Sequence, residues 1–225
     1  MRTLAILPIK SFDAAKQRLS GLLGSGSRQA LAQAMFSDVL GALRHVPGLE
    51  AVAVVTSDKQ AQAAAALERV HVIEDSAQDG HSAAAMLGIR HALATGYERV
   101  LLVPGDAPLL DPRELGELLE RSAEDGVAVA IVPDRHGTGT NGLLIAPPDC
   151  LEPSFGPGSR RRHVAAAEAA GLRHSVDPLP SLVHDVDTPD DLAELAAVLE
   201  SRRGSAPSTR GALAQLQRSR VAVGA

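Results

Sequence analysis

The chain is poor in aromatic residues and nearly free of cysteine. Of 225 residues none is tryptophan, one is tyrosine and three are phenylalanine. A core must therefore be built from Ala, Val, Leu and Ile, which suits close packing of helices on a sheet. Cys150 is the single cysteine, so no intrachain disulfide can form. That composition is expected of a reducing, cytoplasmic setting. No run of about 18 apolar residues exists, which excludes a membrane-spanning helix. The start, MRTLAILPIKSFDAAKQRL, has too short an apolar stretch for a signal peptide, and Lys10, Asp13 and Lys16 follow at once. The eight histidines show no H-x-x-x-H or Cys/His spacing, so zinc is not expected. A G-x-S-x-G elbow is missing, which argues against a serine hydrolase. No G-x-x-x-x-G-K-[ST] phosphate loop is present.

Acidic charge prevails, but unevenly. Residues 202–225 carry five arginines and no acid, which leaves 17 basic and 27 acidic residues in the remainder. An acidic body argues against nucleic acid as a partner, and no membrane association is expected. The basic segment 202–225 reads as a flexible C-terminal extension to a single domain over 1–201. An arm docked in a homodimer is the alternative.

Short apolar runs alternate with longer amphipathic ones. TLAILPI, EAVAVVTS, VHVIED, RVLLVPG and VAVAIVPD read as strands, with helices between them. Asp111 with Pro112, and Thr188 with Pro189, are N-cap and first-turn pairs. After Asp134 the rhythm changes to a glycine-rich turn, a short strand GLLIAPP, a helix begun at Ser159, a further short strand around LVHDVD and a last helix. This order predicts an α/β fold with a three-layer αβα arrangement and a mostly parallel, mixed sheet.

Four stretches could carry chemistry. In the first, PIKSFDAAKQRL, Lys10, Lys16 and Arg18 follow strand one, where fixed cations suit a phosphate chain. In the second, VPGDAPLL, Gly105 permits a sharp turn and Asp106 stands at a strand's C-terminal end, where open α/β sheets bind ligands. In the third, HDVDTPDDL, Asp185 and Asp187 could join Asp106 as oxygen ligands to magnesium. Asp190 and Asp191 belong instead to the first turn of the next helix. In the fourth, DRHGTGTNG with FGPGSRRRH, glycine-rich turns and the helix start at Ser159 could take a phosphate or carboxylate. Arg160, Arg161 and Arg162 read as a solvated face, and His163 as a helix-surface residue.

These stretches, in this order over about Thr3 to Leu199, resemble the phosphoenolpyruvate / 2-phospho-L-lactate guanylyltransferases of coenzyme F-420 biosynthesis. No single stretch is distinctive; the ordered set is. The resemblance implies the nucleotide-diphospho-sugar transferase-like fold and transfer of GMP from GTP to a small phosphorylated three-carbon acid, with loss of pyrophosphate. It implies that Asp106, Asp185 and Asp187 hold magnesium, and that Thr140, Gly156 and Ser159 bind the acid. Lys10, Lys16 and Arg18 are implied to face the nucleotide phosphates, and the product to pass to a downstream transferase of the same pathway. One departure stands out. Ser82, in DGHSAAAMLG, occupies a position where the family leads one to expect asparagine. The alternatives on this fold are a sugar-phosphate or molybdenum-cofactor nucleotidylyltransferase, a glycosyltransferase, or an inactive nucleotide-binding regulator.

Overall fold

The computed structural model describes residues 1–183, 185–202 and 204–223. Seven strands form one sheet: β1 (Thr3–Pro8), β2 (Ala51–Thr56), β3 (His71–Glu74), β4 (Arg99–Leu102), β5 (Val129–Pro133), β6 (Thr140–Ile145) and β7 (His174–Val176). Their order is β3-β2-β1-β4-β6-β5-β7. All neighbours run parallel except β6, which is antiparallel to both β4 and β5. The helices are α1 (Ser25–Leu43), α2 (Lys59–Leu67), α3 (His81–Ala94), α4 (Pro112–Glu124), α5 (Ser159–Ala169), α6 (Pro189–Ser201) and α7 (Pro207–Val223).

The central strands are buried on both faces, as unbroken apolar runs require. Ala5 and Leu7 of β1 face one layer, with Phe36, Leu40, Ala61 and Leu118 of α1, α2 and α4. Leu4 and Ile6 face the other, with Ala84, Ala85, Ile89 and Ala167 of α3 and α5. The three-layer expectation is met, and the small residues pack where aromatics are scarce.

The caps follow the sequence. The Asp111 side chain accepts from Arg113 N, and Thr188 forms a capping box with Asp191. Three readings need correction. The strand β7 carries no strong apolar signal and was not expected. No strand forms among the described residues of 181–188, and His184 of the expected LVHDVD strand lies outside them. The basic segment differs most. Residues 207–223 form α7, whose first turn is held by Asp38 of α1: its carboxylate accepts from Ser208 N at 3.0 Å and Thr209 N at 2.7 Å. Ala206 is buried and Leu213 and Leu216 pack on a third apolar cluster with Leu31, Met35 and Leu195. A buried acid capping a distant helix was not legible from charge counts. Arg203, Gly224 and Ala225 of that segment lie outside the described residues.

Candidate active site

The sheet reverses its winding between β1 and β4, since β2 and β3 lie to one side of β1 and β4 to the other. In open α/β sheets the loops at such a switch point part and leave a crevice at the strands' C-terminal edge. Because β6 is antiparallel, its first residue, Thr140, enters the sheet at that same edge. Continuing the register from Leu102↔Leu143 brings the start of β6 alongside the loop that follows β4.

A cavity of about 270 Å³ occupies the crevice, lined by Lys10, Phe12, Lys16, His81, Gly105 and Asp106 among others. A second, of about 200 Å³, adjoins it through Pro8, Ile9, Lys10, Ser11 and His81 and extends to Ser57, Asp75 and Gln78. A larger cavity of about 530 Å³ lies beside Met1, Pro47 and Arg99, at the opposite end of the strands, and has no part in the switch-point crevice.

The loop after β1 is pinned from two sides. Ile9 N donates to Val55 O at 2.9 Å, and Phe12 N donates to the Asp58 carboxylate at 2.8 Å. Asp58 also caps α2 through Gln60 N and Ala61 N. The chain then turns through Lys16, whose backbone is left-handed (φ 55°, ψ 39°), a conformation rare for a long side chain. This turn sends the Lys16 ammonium inward, where its side chain is 5% exposed. It bonds to Asp106 and, at 3.3 Å, to Asp187 Oδ1. Burial works against the ammonium, yet the charges of and hydrogen bonds to Asp106 and Asp187 outweigh it and hold its pKa above the ordinary lysine value. Lys16, expected to face nucleotide phosphates, thus bridges two of the expected metal ligands. Lys10 lines both cavities, and Arg18 is exposed, with its guanidinium 3.9 Å from Asp187.

The backbone at Gly105 does not itself demand glycine, since its φ is not positive; a Cβ there would sit 2.2 Å from Ile9 Cδ1, so the end of the Ile9 side chain would have to turn aside. Asp185 is held by Asn141, whose Nδ2 donates to it at 3.3 Å and to Leu182 O at 2.7 Å. Burial first, and then the Asp106 charge, push the Asp185 carboxyl above the usual range, with Asp187 adding to the effect. Three carboxylates therefore share one field. Among the described residues, no three acidic, histidine or cysteine side chains are spaced to hold a metal ion. The Lys16 ammonium lies between two of them.

The expected acid-binding residues also converge. Ser159 Oγ and Thr140 Oγ1 are hydrogen-bonded at 3.1 Å. Gly156, at φ +104°, closes back on Ser159, whose N–H it accepts at 3.0 Å. One reading is corrected here. His163 is not on the helix surface: it is fully buried, with Nδ1 3.0 Å from Thr140 Oγ1 and Nε2 2.9 Å from Ser154 N. Arg162 is exposed with its neighbours, as expected, but its guanidinium also donates to the Ser154 and Phe155 carbonyls and binds Pro157 O, wrapping the loop before α5. Ser82, the departure noted above, accepts from Phe155 N at 2.9 Å and so ties the start of α3 to this loop. Asn141, Asp58, His163 and Arg162 were all missed as site-building residues, because each acts by holding another group.

A parallel sheet with one reversed strand, loaded with cations and carboxylates at its switch point, is the frame of a nucleotidyltransferase. The same fold occurs in a Desulfovibrio desulfuricans G20 protein assigned as a nucleotide-diphospho-sugar transferase (TM-score 0.74, 20% identity, 97% of this chain and 98% of that one). It occurs too in a nucleotidyl transferase from Methanothermobacter thermautotroptrophicus (TM-score 0.64, 18% identity, 89% and 99%). The chain belongs to the family described as guanylyl transferase CofC like, whose pattern matches residues 3–206. Among its relatives are the phosphoenolpyruvate guanylyltransferases of Conexibacter woesei, 50% identical over 97% of this chain and 98% of that protein, and of Rubrobacter xylanophilus, 39% identical over 88% and 95%.

Proposed function

We propose that the protein transfers the guanylyl group of GTP to the phosphate of phosphoenolpyruvate and releases pyrophosphate. The observation that carries this reading is the pairing of consecutive residues on β6. Asn141 holds Asp185 of the carboxylate cluster, while Thr140 bonds to Ser159 at the start of α5. A nucleotide site and an anion site thus meet on one strand. The activity of the two named relatives, at 50% and 39% identity, supports the choice of nucleotide and acid.

The nucleotide phosphates fit the 270 Å³ cavity, where Lys10 supplies positive charge. The base fits the neighbouring cavity, whose wall includes the buried Asp75 carboxylate. Guanine offers N–H donors on its pairing edge, and a carboxylate accepts them. The acid's anionic groups fit Thr140, Ser159 and the backbone N–H groups that open α5. A phosphate monoester is mostly dianionic at neutral pH, its second pKa being about 6. One of its oxygens attacks the α-phosphorus in line, and the bond to the pyrophosphate oxygen breaks. No general base is needed. The barrier is repulsion between anions, which fixed cations lower.

Magnesium belongs to this proposal. Asp106, Asp185 and Asp187 offer the oxygen donors that a hard cation takes, but with the Lys16 ammonium between Asp106 and Asp187 the described residues are not spaced to hold one as they stand. When bound, the ion would supply Lewis-acid stabilisation of phosphoryl charge. The Lys16 ammonium must then leave its place between Asp106 and Asp187, and it would be freed toward the cavity it lines. Passage of the product into coenzyme F-420 synthesis is part of the same proposal.

The bond that breaks can be read directly. With ¹⁸O in the phosphate of phosphoenolpyruvate, all label is expected in the guanylylated product, with one labelled oxygen bridging the two phosphorus atoms. Label in the pyrophosphate would refute attack by the acceptor phosphate.

A further inference from the structure

The buried His163 has no role in the reaction as set out above, yet its hydrogen bonds determine the direction of a proton in the acid site. A backbone N–H only donates, so the 2.9 Å contact with Ser154 N makes Nε2 an acceptor without a proton. The neutral ring must carry its proton on Nδ1, and that N–H donates to Thr140 Oγ1 at 3.0 Å. Ser159 Oγ lies 3.1 Å from the same oxygen, and in that pair either hydroxyl can donate to the other. With one Thr140 lone pair taken by the ring, whichever hydroxyl donates within the pair, the other O–H is left to donate outward. Turning the ring over would put carbon at both of its contacts and lose the bond from Ser154 N; the Phe155 ring packs edge-on against it, 5.5 Å between centroids, and His81 packs on Phe155 at 4.7 Å. Arg162 holds the Ser154 and Phe155 carbonyls in place around it.

Resting on the proposed acid site, we infer that His163 is a positioning residue that, by filling one lone pair of Thr140 Oγ1, biases the Thr140–Ser159 hydroxyl pair to donate to an anionic oxygen of the acceptor substrate. A pair with every lone pair open would serve as donor or acceptor. One already accepting from the ring discriminates for a phosphate or carboxylate and against a ligand that offers a hydrogen there. Burial, helped by the Arg162 charge, holds the His163 pKa down to about 4, so the ring stays neutral across the working range and the direction persists.

Two substitutions separate this role from packing. In His163→Asn the amide nitrogen stands near the place of Nδ1 and keeps a donor to Thr140. In His163→Gln the amide reaches toward the place of Nε2 and keeps a partner for Ser154 N, but the donor to Thr140 is lost. The expected result is a KM for phosphoenolpyruvate raised about tenfold or more in His163→Gln, as for a lost hydrogen bond to a charged oxygen. His163→Asn is expected within about threefold of wild type, with kcat and the KM for GTP little changed in both. Thr140→Val should raise the same KM, and the double variant Thr140→Val/His163→Gln should be no worse than Thr140→Val alone. Equal effects of Asn and Gln, or multiplying effects in the double variant, would overturn the inference. A wild-type protein inactive on GTP and phosphoenolpyruvate would instead refute the proposed function. The proton can then still be located by ¹H–¹⁵N correlation spectra of the wild-type histidines. A proton on Nδ1 of His163 is expected, and one on Nε2 would sink the inference whatever the substrate.

Discussion

Lowering the pH from 7 to 4 should remove a definable share of stability through His163 alone. In the unfolded chain its pKa is the ordinary 6.5, and in the fold burial and Arg162 bring it to about 4. Between these values the unfolded state binds a proton that the folded state does not. Stability is therefore complete above about pH 6.5, falls as pH drops through the window, and levels off below the folded pKa. Each unit of separation is worth about 1.4 kcal/mol. Integrated, the loss is about 2 kcal/mol at pH 5 and about 3 kcal/mol at pH 4. His81 and His91 are also held below their ordinary value, first by burial, and would add to the raw trend. Comparison with His163→Asn cancels them, since only the His163 contribution differs. Urea unfolding at a series of pH values, followed by circular dichroism because the chain has no tryptophan, gives the difference in stability. Wild type should lose its lead over His163→Asn by about 3 kcal/mol between pH 7 and pH 4. Parallel curves would refute the claim that His163 is held neutral.

Other substitutions probe the frame of the site. Gly105→Ala places a methyl against Ile9 Cδ1. Because Ile9 Cδ1 is a side-chain end that can turn aside, the stability cost should be no more than about 1 kcal/mol; the KM for GTP should rise, because the displaced Ile9 lines both cavities, and Ile9→Val in the same chain should restore it; no rescue would contradict the steric account. Asp58→Ala removes the cap of α2 and the partner of Phe12 N together. It should lower stability by about 1–2 kcal/mol in thermal melts, and a change within about 0.3 kcal/mol would count against the tie. Asp106→Asn should leave the circular dichroism spectrum intact and abolish turnover; near wild-type rates in magnesium would remove Asp106 from the metal proposal.

Much of the frame was legible because periodicity and caps are local. The strand TLAILPI, the Asp111–Pro112 start and the Thr188–Pro189 start declare themselves within a few residues, and the structure has all three. The same locality explains what was not legible. Lys16 reads as a cation for phosphates until the fold brings it to carboxylates 90 and 171 residues away. His163 reads as a surface residue because α5 is weakly apolar, and its burial depends on Thr140 and Ser154. The docking of α7 depends on one acid, Asp38, in the middle of α1. Gly105 was recognised, but what a side chain there would meet lies across the crevice in Ile9. The family resemblance brought the expected site residues together; the residues that orient them came only from the coordinates.

The most direct test is pyrophosphate release in magnesium with GTP and, in turn, phosphoenolpyruvate, 2-phospholactate or 3-phosphoglycerate, with ATP as the alternative nucleotide. Release with GTP and phosphoenolpyruvate, well above every other pair, is the predicted result. Silence with all three acids in folded protein, or release that depends on a sugar phosphate instead, would contradict the account.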